Sequence, residues 1–213
     1  MTGSVIKKIN LGVLISGGGG TLQNFIDQIL SGALPAVIQV VISSKPGAAG
    51  LERARKHHIP TAVVPRAHYG NVDDFSRAVT AELDKYPVDL ITLAGFIHLY
   101  KIPEKHLENA MNIHPGLIPA FCGHQYYGHK VHEAVINYGA KVSGCTVHFA
   151  DNVYDNGPII IQRAVPVLDD DTPDTLAARV FQEECVAYPE AIRLFAAGRL
   201  KIEGRRVRIL KQA

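Results

Sequence analysis

Cysteine is scarce in this chain, and long hydrophobic runs are missing. Only three of the 213 residues are cysteine (Cys122, Cys145 and Cys185), and no CxxC spacing occurs. That number is too small for a disulfide scaffold and suggests a reducing compartment. Residues 1–10 carry two lysines and then a short apolar run that meets glycines at once, a pattern typical neither of a signal peptide nor of a spanning helix. We therefore expect a cytoplasmic protein without a membrane segment.

An excess of charge of one sign is also lacking. Lys and Arg number 22 and Asp and Glu number 20, so the formal net charge is +2. General binding to nucleic acids or membrane surfaces needs clustered positive charge that contacts phosphates. The near-balance therefore argues against both kinds of partner. A chain of 213 residues, 47% of them hydrophobic, can bury a sizeable core, and we expect one domain over residues 1–213.

Short apolar runs alternate with amphipathic stretches through the first half of the chain. The β-branched run Ile9–Ser16 predicts a strand, and after four glycines a helical pattern follows over 21–30. Similar strands and helices are predicted further along, at 36–43, 48–57, 61–64, 73–85 and 89–94. Apolar strands that alternate with helices indicate a parallel sheet covered on both faces. The predicted fold class is α/β, a doubly wound and mostly parallel sheet with ligands at the carboxyl ends of its strands.

The second half of the chain predicts a different strand arrangement. A short strand at 111–114 is followed by a loop rich in Gly, His and Tyr. The runs 142–149 and 159–167 roughly alternate between apolar and polar residues, and the loop between them is too short for a helical crossover. We therefore expect these two strands to pair antiparallel.

Two helices are predicted in this half, at 131–138 and 172–197, and Thr172 is a suitable N-cap for the second. The tail 204–213 is basic, and we expect it to be a solvated end.

Four successive glycines, 17–20, stand between the first strand and the first helix. They let the backbone turn sharply with its N–H groups outward, and the helix N-terminus behind them favours an anion. No Gly-Lys-Ser/Thr follows, so this is not a Walker P-loop. Leu22 occupies the position of a dinucleotide-binding glycine, and Ser43-Ser44-Lys45 supplies no acid for a ribose. A single phosphate fits the loop better than NAD, and the alternative is a tight turn without a ligand.

Asn112 and His114 lie at the end of an apolar strand, where extended backbone puts both side chains on one face. A carboxamide beside an imidazole can stabilise an oxyanion and move a proton. The sequence has no Gly-x-Ser-x-Gly elbow, and Cys145 lies in mid-strand without an obvious base. The pair therefore suits a reaction in which the substrate brings its own nucleophile. The alternative is that His114 is structural.

Asp155 belongs to the polar loop 151–157, whose residues also fit turn chemistry without any function. The length and spacing of this loop do not match an EF-hand. Asp155 gains a role only if it meets His114, because an adjacent carboxylate favours the protonated imidazole and orients it. Four more histidines lie nearby without a recognised ligand spacing, and we predict no metal; they are His124, His129, His132 and His148.

Five motifs occur in order along nearly the whole chain. They are VLISGGGGTLQNFI, GLERAR at Gly50–Arg55, LAGF at Leu93–Phe96, NIHPGLIPAF at Asn112–Phe121, and GCTVHF at Gly144–Phe149 followed by DNGPIIIQ. Together they resemble the phosphoribosylglycinamide formyltransferase family, the folate-dependent transferases of purine synthesis. The Asn-x-His-Pro motif with a later Asp is common to all 10-formyltetrahydrofolate formyltransferases, and the glycine loop narrows the choice. The resemblance implies the Rossmann-like formyltransferase fold.

The resemblance also implies a reaction and its residues. The formyl group of the co-substrate 10-formyltetrahydrofolate passes to the primary amine of glycinamide ribonucleotide, which attacks directly. Asn112 and His114 would stabilise the tetrahedral oxyanion, and Asp155 would support His114 and assist proton transfer. The residues implied for the ribonucleotide are Gly19, Gly20, Thr21 and Glu184. Those implied for the folate are Ile97, His98, Leu99, Tyr100, Asn112 and Asp151. Residues 8–100 would form the phosphate-binding half and 101–200 the folate-binding and catalytic half.

The sequence departs from the family pattern at several positions. Gly20-Thr21 replaces an Asn-type end of the phosphate loop, and the hydroxyl of Thr21 can still donate. Other departures bear on folate affinity and substrate choice; they are Gly116 for Ser, His98 for a basic residue, and Val72 for an arginine. The loop 122–128 is longer than usual, and its paired Tyr126 and Tyr127 suggest that it covers the folate entrance or contacts another chain. Monomer and homodimer both remain open.

Three other functions compete with this interpretation. One is a related formyltransferase acting on methionyl-tRNA or an amino sugar nucleotide, although a tRNA enzyme would need a basic domain after Gly198. Another is a formyltetrahydrofolate hydrolase, whose family carries an N-terminal regulatory domain. The third is a phosphate-ligand binding module without turnover, against which the intact Asn112, His114 and Asp155 argue.

Overall fold

The computed structural model describes residues 8–211. Its strands are β1 Ile9–Ile15, β2 Ala36–Ser43, β3 Thr61–Val63, β4 Leu90–Leu93, β5 Ala110–His114, β6 Val142–Phe149, β7 Ile159–Pro166, β8 Leu200–Glu203 and β9 Arg206–Ile209. Its α-helices are α1 Gly20–Leu30, α2 Ala49–Lys56, α3 Val72–Leu83, α4 His129–Tyr138 and α5 Pro173–Ala196. Two 3₁₀ turns lie at Arg66–His68 and Glu104–Asn109. Across residues 8–211, no helix has both the length and the apolar character needed to cross a bilayer.

One nine-stranded sheet runs through the molecule in the order β3-β2-β1-β4-β5-β6-β7-β9-β8. Strands β1 to β5 pair in parallel, whereas β6 pairs antiparallel with both β5 and β7. The predicted fold class is therefore confirmed, including the antiparallel pairing in the second half. Because β1 lies between β2 and β4, the chain winds in opposite directions from β1. Ligands bind at such a switch point, beyond the carboxyl ends of the strands.

Helices cover both faces of the sheet because the central strands are apolar on both sides. All four residues of β4 are buried, as are six of the seven in β1. One face packs against α1, α2, α4 and α5 through side chains such as Phe25, Leu51, Val131 and Tyr188. The other face packs against α3 through Phe75, Val79 and Leu83. The strand ends that carry the site are thus supported from both sides.

Tyr188 of α5 holds the ends of two central strands together. Its ring is fully buried and meets Phe25 edge-on, with the ring centroids 5.1 Å apart. Its hydroxyl lies 2.7 Å from the carbonyl oxygen of Met111 in β5 and 3.3 Å from that of Leu93 in β4. One phenol therefore links α5 to the two strands whose carboxyl ends carry the LAGF and NIHP motifs.

The tail that we expected to be a solvated end is exposed over its described part except at Val207, but it also contains a strand that was not predicted. β9 pairs antiparallel with β8 and extends the sheet near its edge. The turn between them contains Gly204 in the left-handed region at φ 62°. Val207 packs against the main core, while the arginines beside it point to solvent and mask a period-two pattern. Residues 212–213 of the predicted tail lie outside the described residues.

Candidate active site

The structure brings Asn112, His114 and Asp155 together. Asn112 and His114 come from the last residues of β5, and Asp155 comes from the loop between β6 and β7, which reaches back over β5. Asp155 Oδ2 lies 3.4 Å from His114 Nδ1, and Asp155 Oδ1 lies 3.2 Å from Asn112 Nδ2. The contact that the sequence could not establish, between Asp155 and His114, is therefore present.

His114 is almost completely buried, and each of its ring nitrogens faces an acceptor. Nε2 lies 2.9 Å from the carbonyl oxygen of Phe121, which can only accept, so this nitrogen carries a proton. Burial lowers the pKa of His114, and the Asp155 carboxylate and the Phe121 carbonyl only partly offset that effect. The expected influence of Asp155 is present but is outweighed by desolvation. In the neutral ring the Nδ1 lone pair faces Asp155, so His114 and Asp155 together form an acceptor for one proton.

Asp155 is held in an unusual backbone conformation. Its φ is 50°, a left-handed value that few non-glycine residues adopt and that is frequent at functional sites. The backbone N–H of Gly123 donates to Oδ2 over 2.9 Å. Burial alone would raise the pKa of Asp155, but the His148 and His114 rings and the Gly123 amide together hold that pKa below its usual value. Asp155 is therefore a carboxylate at neutral pH.

His148 also belongs to this cluster, and the sequence interpretation treated it only as a candidate metal ligand. In the antiparallel pairing of β5 and β6 it stands directly opposite Asn112. His148 Nδ1 lies 2.7 Å from the Phe149 carbonyl oxygen, and its Nε2 lies 3.2 Å from Asn112 Nδ2. Nδ1 donates to that carbonyl, and in the neutral ring Nε2 accepts from Asn112. The sequence predicted antiparallel pairing only between β6 and β7, so neither the pairing of β5 with β6 nor the register that places His148 opposite Asn112 was foreseen.

Asn112 uses both amide N–H groups inside the protein. One partner is His148 Nε2 and the other is Asp155 Oδ1, each at 3.2 Å. These bonds orient the carboxamide. Bonds of this length in a ligand-free site can be exchanged for shorter ones when substrate binds. The oxyanion role expected for Asn112 stays a prediction.

The glycine loop has the geometry expected of an anion site. Gly19 sits before α1 at φ 71°, and no side chain caps the helix. The first turn of α1 contains no acidic residue. Gly17 and Gly18 are exposed, whereas Thr21 is buried. Unpaired N–H groups at a helix N-terminus whose first turn carries no acidic residue favour an anion such as a phosphate.

Glu184 lies in α5 on the side that faces this loop. It follows by one helical turn Phe181, whose ring would lie 3.0 Å from a Cβ built on Gly20. The carboxyl is buried, and this burial raises its pKa to about 7. A buried acid close to the glycine loop fits the ribonucleotide role implied for Glu184, which stays a prediction.

A cavity of about 580 Å³ opens beside the three residues, a size typical of small-molecule sites. Asn112, His114 and Asp155 line it together with all the residues implied for the folate, namely Ile97, His98, Leu99, Tyr100 and Asp151. Tyr126 and Tyr127 of the long loop line it as well. Residues from both sides of position 100 thus contribute to one cavity.

Two walls of the cavity are joined by hydrogen bonds. The N–H of Leu99 donates to the Tyr154 hydroxyl over 2.9 Å, and the N–H of Ile102 donates to Asn152 Oδ1 over 2.7 Å. These bonds hold the segment after β4 against the loop that carries Asp155. Asp151 accepts from its own loop, at Val153 N and Asn156 Nδ2.

Tyr100 belongs to the wall of the cavity, but its side chain is buried in the core. Its ring is only 2% exposed and packs in the core beside α3, and its hydroxyl lies 2.9 Å from Thr80 Oγ1. Little of Tyr100 is therefore open to a ligand, and its folate contact stays a prediction. His98, by contrast, is partly exposed in the cavity.

The histidines that raised the question of a metal are dispersed. His129 is the first residue of α4 and is exposed, whereas His132 is buried. Over the described part of the chain, no three His, Cys, Asp or Glu side chains are placed to hold a metal ion. The three cysteines are free thiols.

Comparison with known proteins gives one family. Residues 9–192 match the formyl transferase family. The solved structure of glycinamide ribonucleotide transformylase 1 from Symbiobacterium toebii is 44% identical, with a TM-score of 0.89 over 99% of this chain and 98% of that one. The phosphoribosylglycinamide formyltransferase structure from Coxiella burnetii is 35% identical, with a TM-score of 0.84 over 95% and 94% of the two chains.

Curated relatives agree. The phosphoribosylglycinamide formyltransferase of Haemophilus influenzae is 38% identical over 93% of this chain and 91% of its own. The trifunctional purine biosynthetic protein adenosine-3 of Gallus gallus is 39% identical, but the chain spans only 19% of that protein's length. Matches that cover nearly the whole of both chains, together with the clustered Asn112, His114 and Asp155, identify the enzyme class. The chain belongs to the formyl transferase family, among the phosphoribosylglycinamide formyltransferases.

Proposed function

We propose that this protein transfers the formyl group of 10-formyltetrahydrofolate to the amine of glycinamide ribonucleotide. The observation that carries the proposal is the contact of Asp155 with His114 at 3.4 Å and with Asn112 at 3.2 Å, at the wall of a cavity large enough for a pterin. The relatives named above support the choice of substrates. The cavity would take the folate, and the glycine loop would take the ribonucleotide phosphate.

The amine of the ribonucleotide is the nucleophile. It attacks the formyl carbon and forms a tetrahedral intermediate whose oxygen is negatively charged. Asn112 then exchanges one of its two 3.2 Å bonds for a bond to that oxygen. A positioned donor of this kind is worth on the order of a hundredfold or more in rate. Collapse of the intermediate releases tetrahydrofolate and leaves the formyl group on the amine.

The attacking amine must lose a proton, and the site offers a place for it. His114 Nδ1 and Asp155 Oδ2 face each other over 3.4 Å, and neither needs a proton while His114 is neutral. A proton taken from the amine, directly or through one water, is shared by this pair and then passes to the leaving nitrogen of the folate. Once protonated, His114 donates to both Asp155 and the Phe121 carbonyl, so the cation is stabilised.

The experiment is a spectrophotometric assay of tetrahydrofolate formed from 10-formyltetrahydrofolate, with and without glycinamide ribonucleotide. We expect product only when the ribonucleotide is present. In Asp155→Asn the rate should fall by about a hundredfold or more, because the proton acceptor is lost. The matched control is Asp169→Asn, since Asp169 is exposed and pairs only with Lys141 in the described residues.

Each other outcome would contradict the proposal in its own way. Product formed without an amine would make the protein a hydrolase. Binding of the ribonucleotide without turnover would make it a binding module. Full activity in Asp155→Asn would remove Asp155 from the chemistry.

A further inference from the structure

We propose that Arg53 of α2 is a positioning residue for the ribonucleotide phosphate: its guanidinium holds the glycine loop so that two backbone N–H groups face the phosphate, and it adds a positive charge beside them. The inference rests on the proposed function. It concerns a residue outside the catalytic cluster and outside the cavity. Its support comes from the contacts between α2 and residues 17–20.

Two successive carbonyl groups of the glycine loop are bound by α2. The N–H of Gly50 donates to the Gly17 carbonyl over 3.1 Å. The Nε–H of Arg53 donates to the Gly18 carbonyl over 2.8 Å. In a trans peptide the carbonyl and the following N–H point in opposite directions. The N–H groups of Gly18 and Gly19 are therefore directed away from α2, toward the open side of the loop.

The contact between α2 and the loop is close enough to transmit this orientation. A Cβ built on Gly19 would lie 2.6 Å from the Cα of Gly50 and 3.5 Å from Cδ of Arg53. The backbones of the loop and of α2 can therefore approach this closely only because Gly19 and Gly50 have no side chains. The aliphatic part of the Arg53 side chain lies along the loop. The next carbonyl, of Gly19, accepts from Gln23 N over 2.9 Å as the first bond of α1. Three consecutive carbonyls are thus occupied on the protein side.

The charge of Arg53 has no acidic partner in the described part of the chain. Its second contact is neutral, from Nη1 to Gln23 Oε1 at 3.3 Å. The neighbouring Arg55 instead pairs with Glu52 on the same helix. Since the first turn of α1 lacks acidic residues, the glycine loop has one uncompensated cation beside it. A phosphate monoester, with a charge near −2 at neutral pH, is the group that this arrangement suits.

The test compares Arg53→Met, Arg53→Lys and the matched control Arg55→Met in steady-state kinetics. We expect Arg53→Met to raise the KM for glycinamide ribonucleotide on the order of tenfold, the size of one charge-assisted hydrogen bond. The kcat and the KM for 10-formyltetrahydrofolate should stay within about twofold of the parent. Arg53→Lys keeps the charge without the Nε–H bond and should give a smaller rise. Arg55→Met should behave like the parent.

Binding of ribose 5-phosphate, measured by titration calorimetry, separates this inference from the proposed function. This probe carries the phosphate but no amine, so it reports on the loop even if the parent shows no turnover. Weaker binding by Arg53→Met, but not by Arg55→Met, supports the inference. Equal binding, or a KM for folate that rises together with the KM for the ribonucleotide, overturns it. Thermal unfolding of the variants shows that the fold is retained.

Discussion

Gly116 follows the NIHP motif, and the structure leaves no room for a side chain there. A Cβ at this position would lie 2.9 Å from Nε2 and 3.1 Å from Cδ2 of His114, and 3.2 Å from Cγ1 of Val131. Ordinary contact begins near 3.4 Å, so the imidazole would have to move by about 0.5 Å in Gly116→Ala. In this protein the position of the His114 ring therefore disfavours any side chain at Gly116.

We expect Gly116→Ala to lower kcat strongly and to lower the free energy of unfolding only moderately. A displacement of about 1 Å in a reacting group can cost on the order of a hundredfold in rate, so half of that predicts a kcat lower by about tenfold. The KM values should change little, because Gly116 itself does not line the cavity. Overpacking of this kind costs about 1–3 kcal/mol, and each kcal/mol lowers the Tm by about 2–4 °C in a chain of this size.

The assay is kcat at saturation with both substrates, together with a thermal melt. Gly70→Ala is the matched control, because Gly70 is exposed and no atom lies within 4 Å of its added Cβ. The same change is then made in a His114→Ala background, where the clash with the ring is gone but the Val131 contact remains. The rate loss should disappear there. A kcat within twofold of the parent in Gly116→Ala, or an undiminished loss in the double variant, would refute the reasoning.

Two further predictions concern stability. Burial raises the pKa of Glu184 from 4.5 to about 7, so between those values the folded state keeps a proton that the unfolded chain releases. The free energy of unfolding should then fall by about 3 kcal/mol as the pH rises from 4.5 to 7. Glu184→Gln should flatten this fall in pH-dependent melts, and Glu52→Gln, at an exposed position, should not. An unchanged slope in Glu184→Gln would show that the carboxyl titrates normally. Tyr188→Phe removes the hydroxyl that donates to the Met111 and Leu93 carbonyls, and we expect it to lower the free energy of unfolding in denaturant by about 1–3 kcal/mol. The control Tyr138→Phe, at an exposed position, should leave that free energy unchanged. Equal losses in the two variants would contradict the strand-linking role of Tyr188.

The strand and helix pattern was predictable because periodicity and glycine positions are local properties. The bounds of β2 and β6 match the predictions, and most others differ by one or two residues. The short hairpin β8–β9 was missed because Arg206 and Arg208 dominate the composition of β9, and because its inner face, formed by Leu200, Ile202 and Val207, is only partly buried. A basic composition is compatible with a strand at this position, because β9 lies next to the edge strand β8 and both of its arginines are exposed.

The residues of the candidate site could be predicted from the sequence, but most of the contacts between them could not. Asn112 and His114 are two residues apart on one strand, so strand geometry alone places their side chains on the same face. Asp155 and His148 reach them through the fold of a loop and the register of β5 with β6, which are set by tertiary packing. The Phe121 carbonyl bound to His114 leaves no trace in the sequence, because any residue supplies a carbonyl.

Different parts of the long loop between β5 and α4 make different contacts. Residues 121–123, in the middle of this loop, contact the proposed catalytic groups, through the Phe121 carbonyl on His114 and the Gly123 amide on Asp155. Its later residues, around Tyr126 and Tyr127, line only the cavity. The apex can thus gain, lose or exchange residues during evolution while His114 and Asp155 keep these hydrogen-bond partners. The same separation makes residues 124–128 a suitable segment for libraries that seek new acceptors or altered folates without rebuilding the chemistry.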